Sequence, residues 1–131
     1  MAVTPVDPPP SPHAAGPSTP PRLPYRCDRA IFDESVIIGV RGDVDLKTAP
    51  DFEGEMFAVL ALPLHTVVID LGYCTFMDSS GVGAIVAYAG SRNGGGPVVL
   101  LNPSAGILRL FEISCLAQHP KIEVRHTDGS E

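Results

Sequence analysis

The sequence has no tryptophan, few aromatics of any kind (6 %), and only 9 Lys and Arg against 15 Asp and Glu. With a net charge of −6, it offers no cationic cluster to neutralise a row of phosphates. Nor does it have an aromatic ladder to stack bases, and together these absences exclude a nucleic-acid binder. Long apolar runs are missing too. The longest uncharged run, Asn93 to Leu108, is broken by Gly94, Gly95, Gly96, Pro97 and Pro103, and a bilayer span needs about 20 apolar residues. The N-terminus has neither the basic stretch nor the apolar segment of a signal peptide. Cysteine is scarce: Cys27, Cys74 and Cys115 form an odd set without paired spacing, which suits a reducing cytoplasm. His13, His65, His119 and His126 are scattered, and neither Cys-x-x-Cys nor His-x-x-x-His occurs. No metal site or cofactor is therefore expected.

Proline, by contrast, is plentiful and uneven. Nine of the 14 prolines precede Tyr25, leaving the rest of the chain near the globular average of about 5 %. Residues 1–24 have few apolar side chains and only Asp7 and Arg22 as charges. Such a segment buries too little surface to offset its ordering entropy. It reads as a flexible, partly polyproline-like leader, with an SH3-type docking motif as the alternative. Residues 25–126 form one domain, and residues 127–131 a polar end. A domain of this size, about 100 residues, hides close to two thirds of its unfolded surface and folds without disulfide or metal.

Within the domain, Tyr25–Ile31 reads as a short strand, Asp33-Glu34 as a turn and Ser35–Arg41 as a strand. In the latter, Val36, Ile37, Ile38 and Val40 are β-branched on both faces, which predicts a centrally buried strand. Gly42-Asp43-Val44-Asp45 is expected as a loop. Thr48-Ala49-Pro50-Asp51 carries a helix-start pattern with Thr48 as cap. Phe52, Met56, Val59 and Leu60 then form one helical stripe ending before Pro63. Thr66–Leu71 is the next strand, followed by the connection Gly72–Met77. Val82, Ile85, Val86 and Ala89 mark a second helix running to Ser91, with Gly94-Gly95-Gly96 as its stop. Pro97–Leu101 is a strand. Ser104 caps a third helix with Ile107, Leu110, Phe111 and Ser114 on one side, and Ile122–Val124 closes the fold. The order ββαβαβαβ predicts the α/β class: a mixed, mostly parallel sheet with helices packed against it through right-handed crossovers.

The informative segment is Asp78-Ser79-Ser80-Gly81 and the helix it opens. A serine between a loop and a helix is by default an N-cap. The helix behind it is less ordinary. Opposite its expected inner stripe stand Gly83, Ala84, Ala87 and Tyr88, uncharged and mostly small, where a surface helix normally carries charge. Either the helix is buried all round or a partner covers that side. Gly81, Gly83 and Gly90 each lower helix propensity by up to about 1 kcal/mol against alanine, so something other than helix stability has chosen them.

Val67-Val68-Ile69-Asp70-Leu71, continuing through Phe76-Met77-Asp78-Ser79-Ser80-Gly81-Val82-Gly83, resembles the signature of STAS-domain anti-sigma factor antagonists. Gly42-Asp43-Val44-Asp45 with Thr48-Ala49 is similar to that family's Gly-x-Leu-Asp loop, and Arg109–Ser114 to its third helix. The resemblance spans about Val36 to Val124 and implies a STAS-like fold and a switch protein. In the family, the unphosphorylated form binds an anti-sigma factor that is also a serine kinase, and the sigma factor is freed. The kinase phosphorylates the first serine of the motif, here Ser79, which releases the partner, and a serine phosphatase resets the switch. The resemblance places Asp45 near Ser79 in the docking surface; with the motif residues Asp78, Ser79, Ser80 and Gly81 and the uncharged helix side Gly83, Ala84, Ala87 and Tyr88, these are the expected partner contacts. It implies a cytoplasmic protein that is a monomer when free.

There are two departures from the pattern. Ser114-Cys115-Leu116 replaces the family's Ser-Gly-Leu, and a positive φ at Cys115 would cost about 1 kcal/mol against glycine. Cys74 lies five residues ahead of Ser79, so Cys74 and Cys115 are either buried free thiols or a redox gate. An enzyme is not expected. A nucleophile elbow needs Gly-x-Ser-x-Gly, and Met77 stands where its first glycine would be. The glycine run lacks the Gly-Lys-Ser/Thr of a phosphate loop, and Asp43, Asp45 and Asp51 read as loop and cap residues rather than metal ligands. The rival within the fold is a STAS accessory subunit of a transporter or stress-signalling complex, binding protein without phosphorylation.

Overall fold

The computed structural model describes residues 23–60, 62, 66–92 and 96–127. The docking motif proposed for the leader, the stop at Pro63 and the glycines Gly94 and Gly95 all lie outside these residues. The elements run β1 (Arg26–Phe32), β2 (Ser35–Val44), α1 (Ala49–Phe57), β3 (Thr66–Met77), α2 (Ser79–Ser91), β4 (Val98–Leu101), α3 (Ala105–Ile113), a 3₁₀ turn (Leu116–Gln118) and β5 (Ile122–Arg125). The expected order holds.

The five strands lie side by side in chain order. β1 pairs antiparallel with β2, and the other three pairings are parallel. Because every crossover steps to the next strand in the same direction and with the same hand, the helices collect on one face. Burial follows. Val36, Ile38, Val40 and Val44 of β2, with Val67, Ile69 and Leu71 of β3, join Phe52, Met56, Ile85, Ala89, Ile107 and Phe111 in one core. The opposite face has no helix over it among the described residues. This corrects the expectation for β2: Ile37, between Val36 and Ile38, is exposed on that open face.

Two further differences concern strand ends. Gly42–Val44 is the last part of β2 rather than a loop, and β3 continues six residues past Leu71 to Met77. The cause is irregular register: the pairing shifts between Gly39 and Arg41 and again between Gly42 and Asp43. Each shift inserts one extra residue in β3, so its buried positions change from every second residue (Val67, Ile69, Leu71) to every third (Cys74, Met77). A search for strict alternation stops at Gly72, where the bulged part begins.

α3 is capped as expected, Ser104 Oγ accepting from the Ile107 N–H at 3.3 Å. Thr48 is the N-cap residue of α1, as expected, but makes no side-chain cap bond; before it, Asp45 Oδ1 accepts from the N–H groups of Lys47 (3.0 Å) and Thr48 (3.1 Å). After α3 the chain reverses through Cys115 at φ 62°. A β-carbon strains that left-handed conformation by about 1 kcal/mol. Cys115→Gly is therefore expected to raise unfolding stability by about 1 kcal/mol, measured by chemical denaturation; an unchanged or lowered midpoint would refute the strain.

Candidate functional site

The site is where the C-terminal ends of β2 and β3 meet the start of α2. Val44 lies opposite Met77 in the parallel pairing, and the Asp78 N–H continues the ladder by donating to the Val44 carbonyl at 3.1 Å. The next residue on each chain is Asp45 on one side and Ser79 on the other. The structure thus brings the loop that starts at Asp45 to the same junction as the start of α2 at Ser79.

Asp78, not Ser79, is the N-cap of α2. Its backbone is extended, and its Oδ1 accepts from the Ser80 N–H at 2.8 Å. Its carbonyl takes the N–H groups of Gly81 and Val82 at 3.0 and 3.3 Å. Relieved of capping, Ser79 is the first helical residue, and it is exposed. A hydroxyl there is open to a second protein.

Gly81 is buried for a steric reason. A β-carbon built on it would lie 2.7 Å from Met77 Cγ and 2.9 Å from Val44 Cγ1. The helix start therefore presses directly on the two strand ends. Gly83 and Gly90 have nothing within 4 Å of such a carbon, so packing explains the first of the three glycines and neither of the others.

On the far side of the junction, the Thr48 hydroxyl donates to the Asp43 carbonyl at 2.7 Å and accepts from the Asp45 N–H at 3.0 Å. The Thr75 hydroxyl, on the bulged part of β3, donates to Asp43 Oδ1 at 2.7 Å. The bonds from Thr48 and Lys47 hold the Asp45 carboxyl below the ordinary carboxylate range. Asp45 is therefore an anion at neutral pH, and the stability its clamp adds is lost only as pH falls through that lowered value.

The burial of α2 separates the residues assigned to partner contact. Gly83 and Ala87 are exposed with Ser79, and Ser80 and Asp78 are half-buried. Ala84 and Tyr88 are not on this surface: they are 6 % and 0 % exposed. α1 packs beside α2, and the Tyr88 ring meets Phe57 edge-on at 5.6 Å. The helix is thus buried against both the sheet and α1, which explains its apolar character better than a single stripe does. Val86, expected inside, is 36 % exposed and lines the open side with Gly83 and Ala87. Leu46, next to Asp45, is 79 % exposed and was missed. Its one signal is an apolar side chain between Asp45 and Lys47 in a loop.

The two cysteines differ. Cys74 is 4 % exposed and donates to the Phe76 carbonyl at 3.3 Å. Burial above all pushes its thiol up to about 11, so at neutral pH it is a protonated thiol of low nucleophilicity. Cys115 is exposed. Among the described residues, no group of three or more His, Cys, Asp and Glu is placed to hold a metal ion. No helix there is long and apolar enough to cross a membrane.

A family model described as "Mlab, STAS domain" matches residues 27–123. Among curated proteins, the anti-sigma-B factor antagonist of Listeria monocytogenes serovar 1/2a is 31 % identical over 97 residues, which is 73 % of this chain and 83 % of the relative. A solved anti-sigma factor antagonist from Mycobacterium paratuberculosis shares 24 % identity at a TM-score of 0.66, covering 76 % of this chain and 86 % of that one. The Bacillus cell fate determinant SpoIIAA, solved in its phosphorylated form, shares 21 % at a TM-score of 0.56, covering 80 % of this chain and 94 % of that one. The solved structures bear on the fold, which they share.

The packing around Gly81 makes a measurable claim. Gly81→Ala would gain about 1 kcal/mol in helix propensity but overpack against Val44 and Met77 by about 1–3 kcal/mol. Urea denaturation is expected to show a net loss for Gly81→Ala and a gain for Gly83→Ala. Equal gains in both would contradict the close approach.

Proposed function

We propose a switching role for this chain, which belongs to the STAS-domain family of anti-sigma factor antagonists. Without phosphate, it binds an anti-sigma factor that is also a serine kinase, and the sigma factor is released. Phosphate transferred to Ser79 ends that complex, and a serine phosphatase restores the binding form. The setting is the cytoplasm, and the free chain is a monomer. It acts by binding rather than by catalysis.

The observation that carries this reading is the exposure of Ser79 at the first residue of α2, with the cap taken over by Asp78. A kinase needs an accessible hydroxyl that can reach the γ-phosphate. The helix start supplies a fixed backbone, and Ser79 points no bond of its own into the fold. Around it, the exposed part of α2 (Gly83, Val86, Ala87) has no charge, so a partner covering it strips little water from polar groups. Two exposed glycines of α2 with no packing role, Gly83 and Gly90, suit close approach by another backbone. The curated relative, an anti-sigma-B factor antagonist, favours this over a transporter accessory subunit.

The electrostatics favour release without unfolding. Phosphorylation adds about −1.5 to −2 charges. A helix N-terminus returns roughly 0.3–1 kcal/mol to an anion, but the Ser80 and Gly81 N–H groups are already bonded to Asp78. The carboxylates of Asp78 and Asp45 oppose the added charge. These local effects are small and of opposite sign, so the fold is little altered. A partner, by contrast, would have to bury a dianion without a counter-ion, which costs several kcal/mol.

Incubation of the protein with its anti-sigma kinase and ATP, followed by peptide mass spectrometry, tests the assignment. One phosphate is expected on Ser79 and none on the Ser79→Ala protein. Phosphate on another residue, or none on wild type while the kinase binds, would move the reading to the unphosphorylated accessory role.

A further inference from the structure

The open face of the sheet carries a charged hollow that the switch does not use. Residues directly paired across strands share a face. Arg26 of β1 lies opposite Arg41 of β2, and Arg41 opposite Tyr73 of β3; in the next row Asp28 lies opposite Gly39, and Gly39 opposite Asp70. Gly39 and Arg41 alternate with the buried Ile38, Val40 and Gly42, so both rows stand on the side away from the helices. These residues line one cavity of about 320 Å³. Its floor is Gly39, where a β-carbon would meet nothing within 4 Å. Glycine inside a strand weakens it, and often marks a place where a ligand approaches the backbone.

The charges around this floor stand in rows rather than in neutral pairs. Two arginines directly opposite repel each other, and only one is answered: Arg26 Nε is 3.3 Å from Asp28 Oδ2. Arg41 instead lies over the Tyr73 ring, 5.7 Å from its centroid. Asp70 Oδ1 accepts from the Gly72 N–H at 2.9 Å. Neither Arg41 nor Asp70 has an ion-pair partner among the described residues. A guanidinium and a carboxylate thus line the same cavity without pairing. Asp70 is level with Gly39, and Arg41 is two residues further along β2, an offset of about 7 Å along the strands.

A ligand that answers both groups is an anion at one end and a cation at the other. A dianion is repelled by Asp28 and Asp70, and a diamine by Arg26 and Arg41. A carboxylate matches the planar fork of Arg41, and an ammonium matches Asp70. Methylenes joining the two lie over Gly39, where a side chain would otherwise stand. Asp70 and Tyr73 also wall an adjoining cavity of about 550 Å³, into which a longer ligand continues.

We infer that the Arg41–Asp70 hollow binds an ω-amino carboxylate, with the carboxylate on Arg41 and the ammonium on Asp70. A free ω-amino acid has this chemistry, and so does a peptide ending in lysine, through its side-chain ammonium and terminal carboxylate. The site is independent of the switch, because Ser79 opens a helix on the other face of the sheet.

The test follows amide chemical shifts of the full chain by NMR as ε-aminocaproate is added, with hexanoate and hexylamine as single-charge controls. Saturable shifts are expected at Gly39, Arg41, Asp70 and Tyr73, with each control at least about fivefold weaker for want of one charge pair. Gly39→Val fills the hollow with a residue favoured in strands. It is expected to abolish binding while the urea midpoint stays level or rises. Arg41→Gln is expected to bind ε-aminocaproate no better than hexylamine, and Asp70→Asn no better than hexanoate; these two comparisons decide the matter should Gly39→Val lose stability. The absence of saturable shifts, equal binding of either control to wild type, or undiminished binding to a folded Gly39→Val overturns the site. Nα-acetyl-lysine separates the sources: tighter binding than ε-aminocaproate supports a peptide end, and weaker binding supports the free amino acid.

Discussion

The contact on which the rest depends is the approach of α2 to the ends of β2 and β3 at Gly81. Val44 and Met77 fill the space in which a side chain would stand, and three residues earlier the ladder of the sheet is carried to the helix start by the bond from Asp78 to Val44. Strand, cap and helix are thereby one rigid unit. Asp78 takes the cap, which frees Ser79 to face outward. Asp45, which follows Val44 across the same junction, is held by the N–H groups of Lys47 and Thr48. The site is a surface feature built on a core contact.

That arrangement divides the energetics. The core, from Val36 to Ile122, lies behind α2 and does not include Ser79. A charge added at Ser79 therefore acts on the solvent side, where water screens it in the free protein. The same charge under a docked partner loses that screening. A small structural cause can have a large effect on binding because the interface, rather than the fold, has to exclude water.

Much of this was legible in the amino-acid sequence. Helical spacing gave α1 and α3, runs of β-branched residues gave β2 and β3, and Ser104 announced its own helix. The positive φ at Cys115 was suggested only by the resemblance, which places a glycine at that position. What was not legible depends on neighbours distant in sequence. The bulged end of β3 breaks alternation because β2 dictates its register, not because its residues are loop-like. Tyr88 and Ala84 read as surface because one buried stripe was assumed, and only the packing of α1 widens it. Asp78 rather than Ser79 caps α2, because local propensity scarcely separates neighbouring Asp and Ser, while Thr48 stands at the N-cap of α1 as expected but makes no side-chain cap bond.

The central claim is that Ser79 controls binding and leaves the fold alone. Calorimetric titration of the wild-type and Ser79→Asp proteins with the anti-sigma kinase, alongside denaturation of both, tests it most directly. The account predicts that Ser79→Asp weakens binding by about 2–3 kcal/mol, roughly 30- to 150-fold, with stability unchanged within about 0.5 kcal/mol. Equal affinity, or a loss of affinity that tracks a loss of folded protein, would contradict it.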